Sequence, residues 1–454
     1  MSRPAHNILG SLPVPKLVWT MSAPIMLSML MSAIYNLVDS IYVAQVSELD
    51  FLALSYAYPV QLMMVAFCAG TGVGFNALFA QRLGAGQKEE ANRVACHGFL
   101  FYGLCWLLFL AFALLGAPLF FRLSTDNAAV AAAGTSYLVI CCGLSIGMCM
   151  QFLTERLLQT TGHPAGFMIV QGSGAILNII LDPVFIFGLD MGVVGAAAAT
   201  VIGQISGACI GFFLLWRIRG EFSVSFRGFR PDWKIVGNIY AIGLPSVVMV
   251  AIGSVMTFCM NKILITYHSA KETAATAFGI YFKLNSFVFM PVFGLNNGVV
   301  PIVAYNYGAQ NRRRMMETIK RSAIYASCIM VLGMAIFWAI PGTLVSIFNA
   351  TETMKQVAVP ALRIISLSFL FAGFAIVCSS VFQALGNGVY SLIISVARQL
   401  VCILPLAWFF ARTFGLHAVW LSLPLAEITS VVLSSILFRK IYLDKIKPLG
   451  QAAA

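Results

Sequence analysis

Twelve apolar stretches, each longer than the roughly 20 residues a helix needs to cross a hydrocarbon core, alternate with short polar breaks along the chain. They fall at 17–44, 54–80, 94–119, 129–154, 165–187 and 192–216, then at 240–266, 276–304, 319–345, 357–385, 389–411 and 415–438. Glycine and proline inside several of them do not argue against helix, because membrane helices re-satisfy the backbone groups that such residues free. The pattern predicts an all-α polytopic membrane protein with twelve transmembrane helices. The polar start Met1–Lys16 leads into a first stretch too long for the apolar region of a signal peptide, so that stretch is expected to stay in the membrane.

The stretches form two sets of six that resemble each other at a nearly constant offset. Gly70 and Gly74 match Gly294 and Gly298, 224 positions on. Gly84-Ala85 matches Gly308-Ala309, and Gln159 with Gly162 matches Gln383 with Gly386, again at 224. Pro24 and Pro245 are 221 apart, and Pro183 and Pro405 are 222 apart. Six spans per repeat make both halves enter the membrane from the same side, related by a pseudo-two-fold axis along the membrane normal. The expected organisation is an N-terminal lobe (1–216), a basic linker (217–234) and a C-terminal lobe (235–454). Transporters rock such lobes about a central cavity for alternating access. A duplicated scaffold or receptor that moves nothing would carry the same pattern.

Charge adds an orientation. Lys and Arg cluster in alternate breaks: Arg3 and Lys16; Arg82, Lys88 and Arg93; Arg156; Arg217, Arg219, Arg227, Arg230 and Lys234; Arg312, Arg313, Arg314, Lys320 and Arg321; and Arg439, Lys440, Lys445 and Lys447. The opposite breaks hold only Arg122, Lys271, Lys355 and Arg412. This asymmetry predicts both termini in the cytoplasm. It also explains the net charge of +12 as a basic cytoplasmic face rather than a nucleic-acid site. Charged residues are only 10% of the chain and mean hydropathy is +0.90, against about 25% charged in soluble domains, which excludes disorder and a disulfide scaffold. The eleven Cys mostly fall inside apolar stretches without metal-ligand spacing, and read as small buried side chains. No cofactor is implied.

Charges inside the spans are the candidate chemistry, because a side chain charged at the bilayer centre costs about 2.5–3.5 kcal/mol on insertion scales. Only Asp39, Asp182 and Glu427 among the acids lie well inside a stretch; Glu155 sits beside Arg156 at an edge, where a local ion pair accounts for both. Asp182 stands in Asn178-Ile-Ile-Leu-Asp182-Pro183, which puts Asn178 and Asp182 on one helix face. Pro183 has no N–H and leaves the carbonyl of Ile179 free. An amide oxygen, a carboxylate and a freed carbonyl could bind a small cation, or the carboxyl could exchange a proton. Tyr35 shares a face with Asp39, four residues on. If both acids converge, one holds a proton or a cation sits between them. Each could equally be a structurally hydrogen-bonded acid. In the second half, Lys262 and Arg363 are near enough to the outer surface to snorkel, whereas Lys283 and Arg398 are deeper and need a partner such as Glu427. That group is either a structural pair or part of a substrate cavity. Gly70-x-Gly-x-Gly74 lies within a span and reads as close helix packing.

These residues give the chain its resemblance, over about 15–440, to the multidrug and toxic compound extrusion (MATE) transporters. The matching stretches are Tyr35–Ala44, Arg82–Gln87, Leu177–Phe187, Gly192–Thr200, Gly294–Gln310, Gln383–Gly386 and Ser395–Pro405. The pattern is closest to the bacterial DinF-like branch. The resemblance implies antiport of drug-like, often cationic, organic compounds against protons or sodium. It also implies a cation site, sodium included, on the first, fifth and sixth helices at Asp39, Asn178, Asp182 and Thr200, with Tyr35 and Tyr137 nearby. The seventh-helix acid of another branch has no counterpart here, since no acid occurs between Ile235 and His268. The expected setting is the inner membrane of a bacterium, with the chain acting as a monomer. A flippase for lipid-linked precursors is the main rival reading, and no nucleophile–base or metal constellation supports an enzyme.

The charge asymmetry makes a direct prediction. Reporter fusions at the C-terminus should be active only as cytoplasmic reporters, and fusions after Arg122 only as periplasmic ones; the reverse pattern would refute the orientation.

Overall fold

The computed structural model describes residues 7–46, 48–219, 224–227, 229–267, 271–348 and 351–449. Twelve spans, labelled here α1 to α12, make up nearly all of it: α1 Val14–Val46, α2 Glu48–Gly84, α3 Lys88–Ser124, α4 Ala128–Thr160, α5 Pro164–Gly188 and α6 Gly192–Arg217. The second six are α7 Trp233–Tyr267, α8 Lys271–Gly308, α9 Arg312–Ala339, α10 Glu352–Ala384, α11 Gly388–Thr413 and α12 Leu416–Ile446. Ten of them run without a sharp bend, whereas α4 and α10 each bend by more than 40° where a two-residue break interrupts the helix. The bends are 42° and 51°, after Gly143 and Ser366, so they fall at matching places in the two repeats. Hydropathy alone showed two plain spans there, since a bend leaves composition unchanged.

The repeat-related glycines explain how the halves meet. A Cβ on Gly70 would lie 2.5 Å from Val247, and one on Gly74 would lie 2.1 Å from the carbonyl oxygen of Ile239, both on α7. In the other half, a Cβ on Gly294 would come within 2.5 Å of the Met26 backbone, and one on Gly298 within 2.8 Å of that of Ser22, both on α1. Residues 26 and 247 are 221 apart, the spacing of the repeat at Pro24 and Pro245. The α2–α7 and α1–α8 contacts are therefore the same contact made twice about the pseudo-two-fold. On the axis itself, Gly84 closes on the carbonyl of Tyr305 and Gly308 on that of Gln81, at 1.9 and 2.0 Å for an added Cβ. Small residues let helix backbones approach where lipid offers no hydrophobic drive between them.

The connections obey the same symmetry. Gly162 and Gly386, which follow α4 and α10, take φ of +89° and +82°, a region natural to glycine. Polar side chains then fasten the halves at the face where the chain starts. Ser22 Oγ donates to the Leu295 carbonyl (3.2 Å), and Gln81 Nε2 to that of Ala384 (2.7 Å). The short helix Ile8–Ser11 straps across both lobes: Asn7 donates to the Thr160 carbonyl, and Asn306 and Arg314 donate to that of Leu9. These bonds, with those of Arg156 and Gln159 to Asn297, lie toward the ends of the spans nearer the termini.

A methyl group separates these glycines from ordinary ones. Gly84→Ala should destabilise the detergent-solubilised protein by about 1–3 kcal/mol, as overpacking does. Gly279→Ala, with open space around it, should be neutral or stabilise by up to about 1 kcal/mol. Thermal unfolding of the two variants side by side checks the contrast.

Candidate cation site and the buried polar network

Alternating small residues set α5 against α6. A Cβ on Gly174 would stand 2.9 Å from the carbonyl oxygen of Gly203, and one on Gly203 2.7 Å from that of Gly174. Gly195 likewise abuts the backbone of Phe185. This approach brings the next polar residues along each helix together. Asn178 Nδ2 donates to Asp182 Oδ1 at 3.3 Å and to Thr200 Oγ1 at 3.4 Å. Asp182 is fully buried and Asn178 nearly so, and Asn178 Oδ1 is buried with no hydrogen-bond partner among the described residues. The helix does not stop at Pro183. It widens into a π-helical turn over Val184–Gly188, so the missing proline N–H is absorbed by a change of pitch.

α1 completes the bundle from the other side. Gln171 Nε2 of α5 donates to Ser32 Oγ at 2.8 Å, and Tyr42 packs edge-on against Phe187 in the π-turn, with ring centroids 6.2 Å apart. Asp39 precedes Tyr42 by three positions on α1, but its side chain lies outside the described residues. Tyr35 is partly buried on the same helix. Tyr137, on α4, is buried, and its hydroxyl accepts from Gln61 Nε2 of α2 at 2.5 Å. Carboxylate, amide and hydroxyl oxygens without sulfur or imidazole make a hard donor set, which suits a proton or an alkali cation. Since the two ends of an amide are assigned from their partners, rotating Asn178 would present Oδ1 in place of Nδ2 without moving the helices.

The expected local pair Glu155–Arg156 is not there. Both side chains are buried, and they point different ways because adjacent helical residues diverge by about 100°. Glu155 Oε1 accepts from Gln151 Nε2 at 2.9 Å. Arg156 instead donates to Gln159 (3.1 Å) and across the lobe boundary to Asn297 Oδ1 on α8 (3.2 Å), with its guanidinium 5.8 Å over Phe167. Gln159 also donates to the Asn297 carbonyl and accepts from Asn76. Sequence reasoning missed Gln151, Asn76 and Asn297, although Gln159 had been marked by its repeat partner Gln383.

In the second half, Glu427 on α12 is buried and forms an ion pair with Arg398. Arg398 sits in a second π-helical turn, Ala397–Ile403 on α11. Lys283 departs from expectation: its side chain is exposed and lies 5.8 Å from the Phe348 ring rather than on Glu427. Its long stem lets it follow the helix surface to the loop beyond α9. Lys262 and Arg363 are exposed, as expected of snorkelling side chains. Cys209 and Cys328 are also exposed, on outward helix faces, in contrast to the buried reading of the cysteines. Among the described residues no group of three His, Cys, Asp or Glu could hold a metal ion.

Known proteins show the same architecture. The outward-facing conformation of a multidrug resistance MATE family transporter of the MOP superfamily superposes with a TM-score of 0.92 at 24% identity, over 99% of this chain and 100% of that one. A MOP superfamily transporter from Pyrococcus furiosus superposes with a TM-score of 0.89 at 24% identity, covering 99% of both chains. Among curated relatives, the multidrug export protein MepA of Staphylococcus haemolyticus is 29% identical over 418 residues, 89% of each chain. MepA of Staphylococcus aureus strain MRSA252 is 27% identical over 420 residues, 91% of each. The MatE family model matches residues 24–184 and again 245–409, once in each half. Two copies of the family pattern, laid on two lobes that meet through the same glycine contacts, show that this chain belongs to the MatE family.

Proposed function

We propose that the chain is a cation-coupled antiporter that exports amphipathic, drug-like organic compounds by alternating access. In this reading it is a monomer in a bacterial inner membrane with both termini in the cytoplasm, and its Asn-x-x-x-Asp-Pro stretch favours the DinF-like branch. The observation that carries the reading is the fully buried Asp182, linked through the Asn178 amide to Thr200 within one lobe. Ionised and unpartnered by a cation, a carboxylate at that depth is costly. Taking up a proton or a sodium ion removes the cost, so cation loading and the packing of α1, α5 and α6 are tied together.

Asp39, Asn178, Asp182 and Thr200 would hold the ion. The π-turn after Pro183 and the proline in α1, Pro24, are the points where these helices have backbone freedom to bend. Bending on loading would narrow the space between the lobes and release substrate on the side away from the termini. The fastened face nearer the termini agrees with an outward-facing state. Coupling requires that the cation and the substrate each favour one state over the other, since equal affinity shifts nothing. A flippase reading needs a strongly basic cavity, and the pairing of Arg398 with Glu427 removes one of the two cations that favoured it.

Asp182→Asn should cut ion-driven efflux of ethidium from proteoliposomes at least tenfold while leaving thermal unfolding within a few degrees of wild type. Sodium and pH gradients imposed separately identify the coupling ion. Efflux at the wild-type rate would overturn the assignment.

A further inference from the structure

Among the described residues Glu155 is, with Asp182, one of the two buried acids of the N-terminal lobe, and the mechanism above does not use it. It lies in the second segment of α4, Ile146–Thr160, and is 2% exposed. Among the described residues no Lys, Arg or His nitrogen lies within 4.0 Å of it, since Arg156 is committed to Gln159 and Asn297. A buried carboxylate without a counter-ion is expected to be relieved by a proton or a cation.

Its burial, rather than its hydrogen bond, favours the proton. The side-chain contact is the N–H of Gln151, a donor rather than an oxygen ligand, and the next hydroxyl, Thr154 Oγ1, is spent on the Gln151 carbonyl at 3.0 Å. Among the described residues no group of three His, Cys, Asp or Glu gathers there to hold a metal cation. The Gln151 side chain itself lies in the α5–α6 seam: a Cβ on Gly207 would meet its Cδ at 3.1 Å, and one on Gly174 its Oε1 at 4.0 Å. Gly203, which abuts Gly174, also touches Asn178 Cβ. Gln151, which holds Glu155, therefore sits one helical turn from Asn178 along the same glycine-lined seam.

The charges around Glu155 are few. On α4, Arg156 is the neighbouring cation, and it faces Tyr102 of α3 across Gly72 rather than Glu155. α5 and α6 face this seam with Val170, Gly174, Gly203, Gly207 and Gly211, and Asp182 is eight residues beyond Gly174, about 12 Å along the helix. α8 presents the neutral Asn297.

We propose that Glu155 is a second proton-exchange site of this lobe, loaded while the lobes are fastened and emptied toward the terminal face when they part. This deepens the antiport reading and rests on it. In the fastened state the proton is bound to a Glu155 carboxylate oxygen. When α8 withdraws, Asn297 leaves Arg156 and Gln159, water reaches the seam, and the O–H bond breaks with the proton passing to that water. Arg156, released from Asn297, is then the counter-charge to the carboxylate left behind.

The test uses the full-length protein with ethidium as substrate. Glu155→Gln, fixed in the protonated shape, should lower efflux driven by a pH gradient at least tenfold while ethidium binding in detergent stays within threefold of wild type. It should also release fewer protons than wild type when ethidium is added to unbuffered, detergent-solubilised protein. Glu155→Asp should recover part of the flux with a displaced pH profile, which a purely structural role would not produce. Should Glu155→Gln fail to fold, Gln151→Leu keeps the carboxylate but removes its donor, and should move the pH midpoint of transport by at least half a unit. Wild-type flux, proton release and pH profile in Glu155→Gln would overturn the proposal. If Asp182→Asn still abolishes coupling in that case, the antiport reading stands and only the role of Glu155 falls; if neither substitution matters, both fall.

Discussion

Backbone-to-backbone contact between the two lobes is the constraint on which this molecule rests. Lipid surrounds both halves, so burying apolar side chains between them yields little. Cohesion must come from close van der Waals approach and from hydrogen bonds, and both need room that a side chain would fill. Gly74 and Gly298 on one pair of crossings, and Gly84 and Gly308 on the axis, provide it. Because the same contact is made twice, the lobes meet through equivalent crossings on either side of the axis.

Polar groups at that boundary are arranged to be made and broken. Asn297 receives Arg156 on its side chain and Gln159 on its backbone, and the strap Ile8–Ser11 ties Thr160 on one lobe to Asn306 and Arg314 on the other. Each bond exchanges readily for water, so parting the lobes does not strand buried donors once the seam is wet. Asp182 and Glu155 are different: they are held within a single lobe, where water is excluded and the charge state of a carboxylate matters most. In the proposed mechanism the boundary supplies reversibility and the lobe interior supplies ion dependence. The C-terminal half lacks acids in α7 and neutralises its own, Glu427, with Arg398, so the two halves share a scaffold while dividing the chemistry unequally.

How much could be read without coordinates follows from what leaves a periodic or compositional trace. Apolar length, the alternation of basic breaks and the fixed offset of glycines are properties of order along the chain, and they determined the twelve spans and the paired halves. The neighbourhood of Asn178 and Asp182 was legible because four residues is one helical turn. Only the tertiary structure decided the rest. Glu155 and Arg156 are adjacent in sequence and separated in space, because successive side chains leave a helix about 100° apart and each found a different neighbouring helix. Lys283 reached Phe348 rather than Glu427 for the related reason that a long side chain follows the surface its helix presents. Bends in α4 and α10 and the π-turns left no trace in hydropathy, since they alter backbone pitch without altering which residues are apolar. Local spacing determined what shares a helix face; packing between helices decided what that face meets.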